Sequence, residues 1–186
     1  FLIGLMQLRP DVKPVMGSLP VEQSTMYKDE EERQRMREAS LINDECMDMV
    51  IHAIREGVTE KELALKVENF FKARGCNSLG FSIVGMGKNG ADPHHDADET
   101  VLKEGDSIVI DIGAPFNHYW CDMTRTVFYK SVSEKQREVY ETVRHANEAA
   151  IAKIKPGVAF KEFDLAARKV IELSLIHISE PTRRVV

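Results

Sequence analysis

Excess positive charge is missing from this 186-residue chain, whose formal net charge is −5. That argues against a basic surface built for nucleic acid or anionic lipid. Cysteine is scarce: Cys46, Cys76 and Cys121 form an odd number at spacings that match no disulfide or metal-binding pattern. The chain is therefore expected in a reducing compartment, the cytoplasm. The apolar runs fall far short of the ~20 residues that a membrane-crossing helix needs. Internal repeats and low-complexity tracts are also missing from the span before the tail. What is present is ordinary for a soluble globular domain, with 43% hydrophobic and 30% charged residues. The length suits one domain, or one domain plus a fragment.

The two ends stand apart. The start, "FLIGLMQLRP", has neither the basic lead nor the small-residue cleavage site of a signal peptide, and reads as the end of an earlier element. The other end, "LSLIHISEPTR" (Leu173 to Arg183), agrees codon for codon with a translated transposase sequencing adapter. Residues 173–186 are therefore expected to be an adapter-derived tail, with the natural sequence stopping near Glu172.

Residues 9–26 hold three prolines and no clear period, so they read as a linker. From Lys28 to Glu56 apolar residues recur in three- and four-residue steps, as in Met36, Ala39, Ile42, Cys46, Val50 and Ala53, which predicts a helix. Thr59 with Glu62 is a capping box opening a second helix, and Gly75 ends it. "FSIVGMGKNG" reads as a strand entering a glycine-rich loop, but its order is not that of a nucleotide-binding turn. "SIVIDIGA" and "CDMTRTVFY" read as two strands joined by "PFNHYW". Ser133 and Gln136 cap a further helix to about Ile154, and a last amphipathic segment runs from Phe160 to Glu172.

Each of the paired strands carries an acid, Asp111 and Asp122. A hairpin centred between Phe116 and Asn117 would set them directly opposite each other on one face. Two like charges at about 5 Å repel by roughly 3 kcal/mol at an effective dielectric near 20. The chain can expose the pair, let it share a proton, or bind a cation. Exposure fits poorly for Asp111, between Ile110 and Ile112. A divalent cation suits carboxylate oxygens, but two ligands are too few for a catalytic metal. Cys121 should point to the opposite sheet face and is not counted as a ligand. Among the histidines, His94 and His95 in "ADPHHDADE" sit in a loop, where function concentrates. His118 reads as exposed in the turn. His52 and His145 read as helix-surface residues, and His177 belongs to the tail.

The segment "NGADPHHDADETVLKEGDSIVIDIGAPFNHYWCDMTRTVF" resembles the pita-bread metallopeptidases, and most closely their proline-specific branch of Xaa-Pro aminopeptidases and Xaa-Pro dipeptidases (prolidases). The resemblance implies an α/β (α+β) pita-bread fold of the creatinase/aminopeptidase type, with helices packed on a curved antiparallel sheet and only half of it present. It implies that residues 1–26 are the end of an N-terminal domain plus linker. Residues 27–172 would be the first half of the catalytic domain. Asp111 and Asp122 inherit the role of metal ligands, the first to one ion and the second bridging two. The implied cofactors are two divalent ions, manganese foremost, with cobalt, zinc or iron as alternatives. His94, seventeen residues before Asp111, inherits a substrate contact near the scissile bond, and His95 does not. Thr124 is implied to orient the Asp122 carboxylate. The implied partner is a proline-containing peptide, with no nucleic acid, no membrane, and a homodimer as the candidate assembly of the parent.

The family's remaining ligands, one His and two Glu, belong to a second half that this chain does not contain. The chain alone is therefore expected to be inactive. A metal-free relative acting as a peptide-binding module, or a creatinase-like hydrolase, is the competing reading, and retention of both acids argues against it. A domain with two merely solvated acids is the third.

Overall fold

Two short helices, α1 (Leu2–Leu8) and α2 (Ser18–Met26), begin the chain and bury no residue. The computed structural model describes residues 1–76 and 80–174. Most of the tail, residues 175–186, thus lies outside the described residues. The stretch expected to be a linker is helical over α2. Pro20 lies in its first turn, where a missing N–H breaks no helix bond and the fixed φ is already helical.

Helix α3 (Glu30–His52) starts on a capping box that the apolar pattern did not reveal. Asp29 accepts the Glu32 N–H at 2.9 Å, and Glu32 accepts the Asp29 N–H at 2.7 Å. Its apolar stripe buries Ala39, Cys46, Met47 and Val50. Helix α4 (Glu60–Ala73) opens on the expected Thr59–Glu62 box and buries Leu63, Val67 and Phe71. After it come β1 (Phe81–Met86), a 3-10 turn over Gly87–Ala91, and β2 (Ser107–Gly113). A small hairpin follows, β3 (Pro115–Phe116) and β4 (Tyr119–Trp120), and then β5 (Met123–Phe128). Helix α5 (Glu134–Ile151) starts on the expected Ser133–Gln136 box, and α6 (Lys161–Leu173) packs against it.

Strand β2 lies between β1 and β5, antiparallel to both. The pleat sorts its residues. Ile108, Ile110 and Ile112 are fully buried, while Val109 and Asp111 on the other face are half-buried. The isoleucines join Val84 and Met86 of β1 in a core with Cys46, Val50, Leu63, Val67 and Phe71 of the two covering helices. Asn43 of α3 reaches β2 directly, its side-chain amide donating to the Ile112 carbonyl at 3.3 Å. Helices α3 and α4 therefore cover one face of the sheet, and the face carrying Asp111 is left open to cavities.

The hairpin register differs from the expected one. Phe116 pairs with Tyr119 and Pro115 with Trp120, so the turn is the two residues Asn117 and His118. Both have positive φ, 47° and 71°, as a tight type I′ turn requires. Asn and His tolerate this left-handed region better than most residues, and the right-handed strand twist favours such a turn. The hairpin is centred one residue later than expected, which shifts the pairing by two. Asp111 accordingly faces Thr124, not Asp122.

Candidate active site

Asp111 and Thr124 are cross-strand partners, and the Thr124 hydroxyl donates to Asp111 Oδ1 at 2.7 Å. The expectation that Thr124 orients Asp122 is thereby corrected: its hydroxyl is committed to Asp111. The register continues beyond β5, since Cys121 N–H donates to the Ala114 carbonyl at 3.3 Å. Asp122 lies one residue before β5 and two before Thr124, so an unbroken pleat would set it on the face of Thr124 and Asp111. A one-residue slip would have put the acids on opposite faces, but a two-residue slip would keep them together. They would then be diagonal neighbours, a spacing of roughly 7–8 Å in antiparallel sheets, still within reach of two carboxylates converging on one ion. The pair offers only oxygen donors, with Asp111 half-buried and Asp122 exposed, a set that suits hard or borderline divalent cations.

Cys121, between the strands' ends, turns to the core as expected. It is 6% exposed and its thiol donates to the Ala114 carbonyl at 3.1 Å. Burial raises its pKa, and burial pushes Cys46 up to about 12. Neither thiol is poised to act as a nucleophile.

Two cavities flank the open face. One of about 300 Å³ is lined by Gly85, Gly90, Pro93, Val109, Asp111 and Thr124, among others. Its neighbour, about 560 Å³, is lined by Lys61, Leu65, Phe81, His94 and His95, among others. Ile83 lines both. His94 is exposed in its loop, and its backbone N–H donates to Asp92 Oδ1 at 3.0 Å. The structure therefore joins Asp111 to Thr124, leaves Asp122 exposed one residue before β5, and sets His94 in the adjoining cavity, one strand residue away.

His95 goes elsewhere. Its Nε2 lies 2.6 Å from Oε2 of Glu60, which is fully buried (0% exposed). That contact holds the His95 pKa above the ordinary histidine value, with Asp98 and Asp92 adding to it. Glu60 was missed by sequence reasoning. An acid in the first turn of a helix normally complements the dipole from the surface, and nothing local signals burial.

The family described as metallopeptidase family M24 matches residues 34–181, reaching into the tail. A Xaa-Pro dipeptidase of Pyrococcus furiosus is 40% identical over 148 residues, 79% of this chain and 42% of that protein. Among solved structures, a prolidase from Pyrococcus horikoshii superposes with TM-score 0.86 at 34% identity, covering 92% of this chain and 50% of that one. An X-Pro aminopeptidase from Thermotoga maritima gives TM-score 0.83 at 34% identity, covering 92% and 49%. The chain thus spans half or less of the length of these relatives. With a match across most of its length, and with helices laid on an antiparallel sheet as in these neighbours, the chain belongs to metallopeptidase family M24 and carries part of the pita-bread fold.

Proposed function

We propose that this chain is the acid-bearing half of a dinuclear exopeptidase that cleaves the bond between an N-terminal residue and proline. The relatives named Xaa-Pro dipeptidase, prolidase and X-Pro aminopeptidase support that substrate class. The observation that carries the reading is Asp111, held by Thr124 on the open face of the sheet beside a cavity, with Asp122 two residues before Thr124 in the sequence. Metal-dependent hydrolysis is the family's chemistry, and manganese is the ion proposed here.

Asp111 and Asp122 would hold the divalent ions, which supply an activated water and polarise the scissile carbonyl. Thr124 fixes the Asp111 carboxylate, so that its other oxygen keeps one direction. His94, exposed at the edge of the adjoining cavity, donates a proton or hydrogen bond to the peptide near the scissile bond. Ile83, shared by the two cavities, gives that peptide an apolar wall. Two carboxylates fall short of the three or so protein ligands a catalytic metal takes, so the isolated chain is proposed to be inactive. The three thiols are unpaired, which supports a reducing compartment such as the cytoplasm.

The test uses the full-length protein that contains this sequence. Metal-stripped protein should gain cleavage of a Xaa-Pro dipeptide or a longer Xaa-Pro peptide on addition of manganese. Asp111→Asn and Asp122→Asn should each lose at least about 100-fold of that gain, more than loss of an outer hydrogen-bond partner costs. Equal activity with and without metal, or in both variants, overturns the proposal.

A further inference from the structure

Glu60 is the first residue of α4, yet it has no exposed surface. A carboxylate so placed must be fully satisfied, because an unpaired buried charge costs several kcal/mol. Four donors meet it. Oε1 accepts the Met86 N–H at 2.7 Å and the Asn89 side-chain amide at 3.0 Å. Oε2 accepts from His95 Nε2 at 2.6 Å and from the Asp98 N–H at 3.2 Å.

These donors bracket one segment. Met86 and Asn89 stand where it leaves β1, and His95 and Asp98 where it returns. Around them the main chain wraps the start of α4. Glu60 N–H donates to Thr100 O at 3.1 Å, Lys61 N–H to Asp98 O at 3.0 Å, and Leu102 N–H to Val58 O at 2.9 Å. The part in the middle has much less. Asp92 N–H to Asn89 O, His95 N–H to Asp92 O and His94 N–H to Asp92 Oδ1 are all internal to the segment. Among the described residues, the hydrogen bond that ties residues 91–97 to the body of the protein is His95 to Glu60.

Glu60, His95 and Asp98 also offer one ligand atom each within 4.8 Å of one another. A cation there would have to displace donors from a carboxylate whose two oxygens are each doubly occupied. His95 already occupies that side of Oε2 at 2.6 Å, so the group reads as a side-chain lock.

We infer that Glu60 is a positioning residue for His94: through His95 it pins the loop beside the sheet and holds His94 in the lining of the larger cavity. The pinning stands on geometry alone, while the consequence for catalysis rests on the role proposed above for His94. His95 is then the second member of the lock, and its partner on α4 is what makes adjacent histidines perform different jobs.

The experiment compares His95→Ala, His95→Gln and Glu60→Gln in the full-length, manganese-loaded protein. Gln at 95 keeps a donor of similar reach without a titratable ring, and Ala keeps none. Amide hydrogen exchange is followed in peptides covering residues 86–98, with α3 peptides as the control for global unfolding. Steady-state kinetics on a Xaa-Pro dipeptide run in parallel. His95→Ala and Glu60→Gln should speed exchange in the segment about tenfold with α3 unchanged, and lower kcat by about tenfold with a smaller change in KM, as expected for a displaced catalytic group. His95→Gln should return both readouts most of the way to wild type. Unchanged exchange in His95→Ala refutes the lock, as does a His95→Gln protein no better than His95→Ala. Faster exchange at unaltered kcat refutes the positioning role. If the wild-type protein cleaves no Xaa-Pro bond, the proposed function fails, and the exchange arm still decides whether Glu60 holds the loop.

Discussion

Replacing Thr124 with valine removes one hydroxyl and almost no volume. That hydroxyl donates to Asp111 Oδ1 at 2.7 Å, a good length for a bond to an ionised acceptor. Hydrogen bonds to charged groups contribute about 1.5–3 kcal/mol when buried. Here Asp111 is half-buried and Thr124 exposed, so water can take over part of the role. The low end therefore applies, about 1.5 kcal/mol, which is roughly a factor of ten in affinity. The loss should appear in metal binding, because the hydroxyl fixes the direction of a ligand and does not touch the peptide. In full-length, metal-stripped protein, calorimetric titration should show manganese binding weakened about tenfold, at the low end of outer-partner effects. At saturating manganese, kcat on a Xaa-Pro dipeptide should stay within about threefold. Thr126→Val is the control, since Thr126 pairs with Val109 on the same face and makes no bond to Asp111. Wild-type metal affinity in Thr124→Val, or an equal loss in Thr126→Val, would refute the reasoning.

Other consequences concern stability. Ile110→Ala empties a fully buried site at the centre of β2 and should cost about 2–5 kcal/mol, read as a lower urea midpoint at constant slope. Gly113→Ala should cost about 1–3 kcal/mol, because its Cβ would lie 2.4 Å from the Cys121 carbonyl oxygen and 2.8 Å from the Phe81 ring. His118→Gly should gain up to about 1 kcal/mol by relieving the φ of 71° at the second turn position, seen as a higher thermal midpoint. The Glu60–His95 pair gives stability a pH dependence. His95 is raised in the folded state by Glu60, then by Asp98 and Asp92, while Lys61 in the same cavity is paired with Glu99. Its contribution is complete below the unfolded histidine value near 6.5 and is lost as pH rises through the higher folded value. Urea midpoints of wild type and His95→Gln should therefore converge with increasing pH, and parallel curves would contradict the assignment.

Much of the helical frame was readable because its signals are local. Thr59 with Glu62 and Ser133 with Gln136 announce helix starts within four residues, and the structure has both boxes. The apolar run "SIVIDIGA" identified β2, although the turn centre was misplaced by one residue. The misplacement arose at Asn117 and His118, where the left-handed preference of two residues outweighed symmetry of the loop. What could not be read was long-range. Glu60 looks like any first-turn acid until Met86, Asn89, His95 and Asp98 close around it, and those partners lie 26 to 38 residues away. The Asp29–Glu32 box was passed over because charged residues crowd the whole of that turn, and pattern alone does not say which one caps.

Beyond Gly113 the hairpin acts as a gauge. At its tip the Tyr119 hydroxyl donates to Glu32 Oε1 at 2.7 Å, holding that carboxyl below its usual range, while the other oxygen of Glu32 caps α3. Adding one matched pair of residues, one on each side of the turn, would leave Asp111 and Asp122 facing as they do. It would also carry the tyrosine past the start of α3 and release the cap. The distance from the acids to the loop tip is thus measured against a helix end, so that hairpin length and helix start can change only in concert.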